Sequence, residues 1–143
     1  MKLLNKREFY EQLQRRLGIV PLKNAKRACF KAANLVKNEA QKEILTGAKT
    51  GPVVTRYNPK RSIAISAPGE APASDTGFLA ANITSEVAVS AGMVRGIVRS
   101  SAPYSAYLEF GTQQMPARPF LQPALDKKAK AIQKVFEKEG MIK

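Results

Sequence analysis

Apolar residues recur along this chain with two different periods. Leu22, Ala25, Cys29, Ala32, Val36, Ala40 and Ile44 follow one another at steps of three and four. On a 3.6-residue helix those steps fall on one stripe, so the pattern predicts a long helix that faces a core. Pro21 suits its first turn and Gly47 its end. Lys23, Lys26, Arg27, Lys31, Lys37 and Lys42 lie off the stripe, on the solvated side. Upstream, Phe9, Leu13 and Leu17 predict a shorter amphipathic helix closed by Gly18. Near the other end, Leu121, Leu125, Ile132 and Phe136 predict a last helix, with Pro123 tolerated in its first turn and the lysines outward.

The middle of the chain changes period. In "PVVTRYNPKRSIAIS" two β-prone runs flank Asn58-Pro59, which predicts a hairpin tipped by Lys60 and Arg61. "ITSEVAVS" and "MVRGIVRS" predict a second hairpin across Ala91-Gly92. There Val87 and Val89 alternate with Glu86 and Ala88, as in a sheet with one wetter face. Between the hairpins, "APGEAPASDTG" breaks every period. It is a loop, long for a compact domain, which favours a functional or interface role. "FLAANI" after it fits one helical turn. "APYSAYLEF" predicts a brief helix with Tyr104, Tyr107 and Leu108 inward and Gly111 as a left-handed cap. "QQMPARP" cannot be regular, because Pro116 and Pro119 donate no backbone hydrogen bond. The expected architecture is a single α+β domain: an antiparallel sheet of two β-hairpins packed against N-terminal and C-terminal helices, with a long Pro/Gly loop. Its parts are a helical segment (1–47), the hairpins and loop (48–103), and the aromatic turn with the last helix (104–143).

Composition sharpens this picture. The 143 residues carry 24 Lys and Arg against 11 Asp and Glu, a net charge of +13. The excess is lopsided: fifteen basic and four acidic residues up to Arg61, nine and seven beyond it. Such a field attracts nucleic acid, an acidic protein face or a membrane surface. No apolar run is long enough to predict a signal peptide or a membrane span, so a soluble protein made in a reducing cytoplasm is expected. One cysteine, Cys29, excludes an intrachain disulfide, and its place on the apolar stripe makes it a small core residue. With no histidine, the common zinc and iron sites and a His general base are absent.

Catalytic chemistry finds little footing. Glu109 is the only carboxylate in its segment, and Asp75 could join it only if the long loop folded back. "SAGMVRG" lacks the Lys-Ser/Thr step of a phosphate-binding loop. No enzyme activity, cofactor or metal is therefore expected. A structural role suits Glu109 better. Arg118 lies across a bend made by Gly111 and Pro116, and a guanidinium can grip a carboxylate through two parallel hydrogen bonds. Glu109 and Arg118 are thus expected to clamp the loop or to bridge two subunits, and two unrelated surface charges are the alternative. Thr112 reads as a turn residue bonded to nearby backbone, and Met115 beside Pro116 as an apolar partner contact.

Three ordered motifs carry a family resemblance. They are Thr76-Gly77-x-Leu79 after the proline-glycine loop, Leu108 to Thr112 with Glu109, Phe110 and Gly111, and Pro116-Ala117-Arg118-Pro119-Phe120 leading into the last helix. In that order, over residues 66–125, the chain resembles the tail-completion, or head–tail joining, proteins of long-tailed bacteriophages. Where such proteins often carry basic and hydroxylated residues, this chain has Ala80, Ala81 and Asn82. The resemblance implies a virion protein made in the host bacterial cytoplasm, with no enzymatic role. It implies a sixfold ring of copies at the head–tail junction, the neck, that meets the head connector or stopper and the major tail tube protein and lets double-stranded DNA pass. A head-side stopper or adaptor is the alternative within the neck, and a small basic nucleic-acid-binding protein the alternative outside it. Ring closure needs two different complementary surfaces on each subunit. The residues expected to supply them are Thr76, Gly77, Leu79, Tyr104, Tyr107, Glu109, Phe110, Gly111, Thr112, Met115, Pro116, Arg118, Pro119 and Phe120. Lys60 and Arg61 are expected to face the connector or the DNA.

Overall fold

A computed structural model describes Tyr10, Leu13 and residues 21–142. The short helix expected over residues 6–17 falls outside these, except that Tyr10 and Leu13 are both helical. The long helix is present as α1 (Leu22–Thr46). β1 (Val53–Tyr57) and β2 (Lys60–Ala64) form the first hairpin, and α2 (Phe78–Ala81) is the single turn after the loop. β3 (Ile83–Ser90) and β4 (Met93–Ser100) form the second hairpin, followed by α3 (Ser105–Phe110) and α4 (Leu121–Lys138). The class is α+β, as the two periods imply.

One detail of the expected sheet is corrected. The hairpins make two separate two-stranded antiparallel sheets. β1 pairs β2 from Val53↔Ala64 to Tyr57↔Lys60, and β3 pairs β4 from Ile83↔Ser100 to Ser90↔Met93. Only the second sheet lies against α1, which is itself flanked by α4. The first stands apart because its sequence offers few side chains to bury: Val53 and Tyr57 are 69 % and 80 % exposed.

The packing of α1 follows from its small residues. Ala25, Ala28, Cys29, Ala32, Ala33, Val36, Ala40 and Ile44 are all buried, a wider face than the single stripe predicts, because the helix has sheet on one side and α4 on the other. Leu22, expected on that stripe, is half exposed at the helix start. Helix and sheet meet most closely at Gly96 on β4, where a Cβ would lie 2.8 Å from the Cys29 carbonyl oxygen. The Cys29 thiol donates to the Val94 carbonyl at 3.8 Å, in keeping with a core role. Val36, Ala40, Ile44, Leu79, Ala80, Ile83, Ala102, Phe120 and Ala124 form the core. Of α4 only Ala124 is fully buried; Leu121, Ile132 and Phe136 are half-buried and Leu125 is exposed, so its expected stripe is only partly covered.

Charge pairs join α1 to α4. Lys128 bonds the buried Glu39 at 3.0 Å, Lys127 bonds Glu43 at 2.6 Å, and Lys31 bonds Glu139 at 2.6 Å. The ammonium of Lys128 holds Glu39 below its ordinary value despite burial, and that of Lys31 does the same for Glu139. No helix among the described residues is long and apolar enough to cross a membrane.

Candidate assembly interface

The segment from Tyr104 to Phe120 is a rigid elbow. α3 closes when the Gly111 N–H donates to the Tyr107 carbonyl at 2.9 Å. Gly111 has φ 75° and ψ 178°. A Cβ there would sit 2.8 Å from the Ala117 nitrogen and 3.0 Å from the Met115 oxygen, so glycine is what lets the chain double back. The returning strand is fixed by Arg118 N–H donating to the Leu108 carbonyl at 2.7 Å. At the tip, the Thr112 hydroxyl accepts from the Met115 and Gln114 amides at 3.1 and 3.3 Å, the turn role expected of it.

Glu109 performs a different task from the expected clamp. Its Oε2 accepts the Phe120 and Leu121 amides at 2.9 and 3.0 Å, and its Oε1 accepts the Gln122 amide at 2.9 Å. It therefore caps α4, whose own N-cap residue Phe120 supplies no side-chain bond. Three convergent amides at the positive end of a helix satisfy a carboxylate as completely as a guanidinium can. The Glu109–Arg118 ion pair is absent as a result. The Arg118 guanidinium has no ion pair among the described residues, and its Nε is sealed from solvent without a partner.

The proline-glycine loop is tied into the same unit. Gly69 N–H donates to the Ala117 carbonyl at 3.0 Å. Glu70 organises the loop start: its carboxylate accepts the Ala67 amide at 2.8 Å and the Thr50 amide and hydroxyl at 3.0 and 2.5 Å. Those bonds, the Thr50 hydroxyl foremost, lower Glu70 to about 2. Lys49 spans the gap, donating to the Glu43 and Ala71 carbonyls at 3.0 and 2.7 Å. Sequence reasoning passes over Glu70, although a carboxylate inside a Pro/Gly loop is the available signal. At the loop end the Thr76 hydroxyl accepts the Phe78 amide at 3.4 Å, Gly77 takes a left-handed conformation, and Leu79 drops into the core.

The candidate residues thus divide. Tyr104, Tyr107 and Phe110, two of them expected inward, lie 42 %, 59 % and 83 % exposed, because a six-residue helix has one inner face and Leu108 occupies it. Thr112 and Pro116 are also exposed, and Met115 and Pro119 half-buried. Leu79 and Phe120 are corrected: both are sealed in the core, so they anchor the elbow without offering surface. Lys60 is exposed as expected. Arg61 is turned back, donating from Nε to Asp75 at 2.8 Å, so it does not project from the hairpin tip. A cavity of about 260 Å³ opens between the first hairpin, the loop and α3. An apolar groove of about 720 Å³, with Phe110 and Pro119 in its wall, runs between α1, β4 and α4.

A family model described as "Bacteriophage HK97-gp10, putative tail-component" matches residues 7–111. The chain belongs to that family. The match takes in Thr76–Leu79 and the Leu108–Gly111 turn and ends before the Pro-Ala-Arg-Pro-Phe segment. No curated protein and no solved structure matches the chain. Membership makes it a phage tail component, a virion protein that works among other virion proteins.

Proposed function

We propose that this tail component is a non-enzymatic ring subunit of the phage neck, which completes the tail, joins it to the head connector and leaves a channel for DNA. The observation that carries this reading is Phe110: a large apolar ring 83 % exposed on a turn fixed by Gly111, Thr112 and Glu109. An exposed aromatic on a rigid support contributes contact energy at little entropic cost. Tyr107 extends the same surface. Neighbouring copies meet across this elbow, head to tail, and the tube and connector proteins lie on the two faces of the ring. Duplex DNA carries about one negative charge per 1.7 Å, and a densely basic bore would retain it. Lys23 and Lys26, exposed at the start of α1, therefore face acidic partners or the outer wall.

Electron microscopy of assembled particles tests this. The expected result is a ring of this chain at the tail top with Phe110 inside a subunit contact; an elbow bathed in solvent in the intact virion overturns it. Phe110→Asp is expected to leave the melting temperature of the free subunit within about 2 °C, since exposed positions contribute little to folding. Complementation of a phage lacking this protein should fall by at least about tenfold, the consequence of burying an unpaired charge in an interface.

A further inference from the structure

The 260 Å³ cavity holds two polar atoms that the fold leaves without partners. Ser66, 2 % exposed, has an unbonded Oγ, and Arg118 an unbonded Nε; both residues line the cavity. A buried donor without an acceptor costs stability, and such groups persist where something outside the fold satisfies them. Among the described residues, the carboxylates nearby are already engaged. Glu109 is committed to three amides of α4, and Asp75, also in the wall, is held by Arg61 and Arg56. The wall charge is therefore cationic, and its rim carries two exposed rings, Phe78 and Tyr104, with centroids 6.3 Å apart.

We propose that this cavity receives an acidic side chain of another neck protein, with an apolar residue beside it in sequence. On binding, the Ser66 hydroxyl and the Arg118 guanidinium turn into the cavity and donate to the carboxylate, and its neighbour lies on Phe78 and Tyr104. The partner is a different protein because this chain has few carboxylates to spare among its described residues. Of the nine it shows among the described residues, Glu39, Glu43, Asp75, Glu86 and Glu139 hold cations, and Glu70 and Glu109 hold backbone amides. Only Asp126 and Glu137 are left, each taking one glutamine amide. The inference deepens the neck reading by giving the chemistry of one neighbour, and it rests on that reading only for where the neighbour is found.

The test uses the purified ¹⁵N-labelled chain and the peptide acetyl-Ala-Glu-Phe-Ala-amide, followed through the Arg118 Nε–H signal. The peptide is expected to shift that signal saturably. Its Gln analogue and free acetate are expected to bind at least about tenfold more weakly, the cost of losing a charge-assisted bond or the ring contact. Arg118→Lys should weaken the peptide by a similar factor, with Ser66→Ala as the second variant should the first fail to fold. An unmoved signal, or wild-type binding by the folded variants, overturns the site. An equal response to acetate would mean an adventitious anion only. A shift that grows with protein concentration alone would assign the cavity to a second copy and overturn the choice of partner. The titration needs no phage, so its failure is distinct from a missing ring in particles.

Discussion

Glu109 and Gly111 decide the shape of the elbow one residue at a time. Removing the cap in Glu109→Ala leaves three helix-start amides without their acceptor. The expected loss is about 2 kcal/mol, or a melting temperature roughly 5–8 °C lower for a chain of this size. Because Glu109 and Arg118 share no partner, a double-mutant cycle of Glu109→Gln with Arg118→Gln should be additive to within about 0.5 kcal/mol in thermal melts. A larger coupling would restore the clamp. Gly111→Ala meets both a positive φ and backbone atoms at 2.8 and 3.0 Å, and should cost about 2–4 kcal/mol by denaturant unfolding. The lone carboxylate, the glycine and the turn threonine were all legible in the sequence. What Glu109 bonds was not, because Arg118 and the first amides of α4 both come after it in the chain, and only the fold says which reaches it.

At the scale of elements, periodicity located almost every helix and strand, since its signal is local. It missed the division of the hairpins into two sheets, which depends on what each can bury. It also missed the two-sided burial of α1, because alanine carries little hydropathic weight yet suits a close approach. That approach is testable at Gly96. Gly96→Val should push β4 from the Cys29 carbonyl and cost about 1–3 kcal/mol in denaturant unfolding, whereas Thr84→Val on the exposed side of β3 should change little. The candidate interface was legible as a segment, through its aromatics and prolines. Which aromatics face outward follows from the shortness of α3.

The whole molecule responds to acid through its engaged carboxylates. Glu70 titrates near 2 against an ordinary 4.5, and Glu39 and Glu139 are also lowered. A group whose folded value is depressed binds its proton more readily when unfolded, so its stabilisation is present above about 4.5 and lost as pH falls through the folded value. Melting temperature should therefore hold steady from pH 7 to about 5 and decline between about 4.5 and 2. Glu70→Gln should flatten that decline.

The separation of the two sheets has a consequence for the free subunit. Each sheet leaves two outer rows of backbone groups beside which no further strand lies among the described residues, and exposed rows of that kind invite stray pairing between molecules. Arg56, Lys60 and Arg95 stand on those strands, so like charge keeps identical chains from stacking edge to edge before assembly. Concentrated salt, by masking that repulsion, should hasten aggregation of the isolated protein.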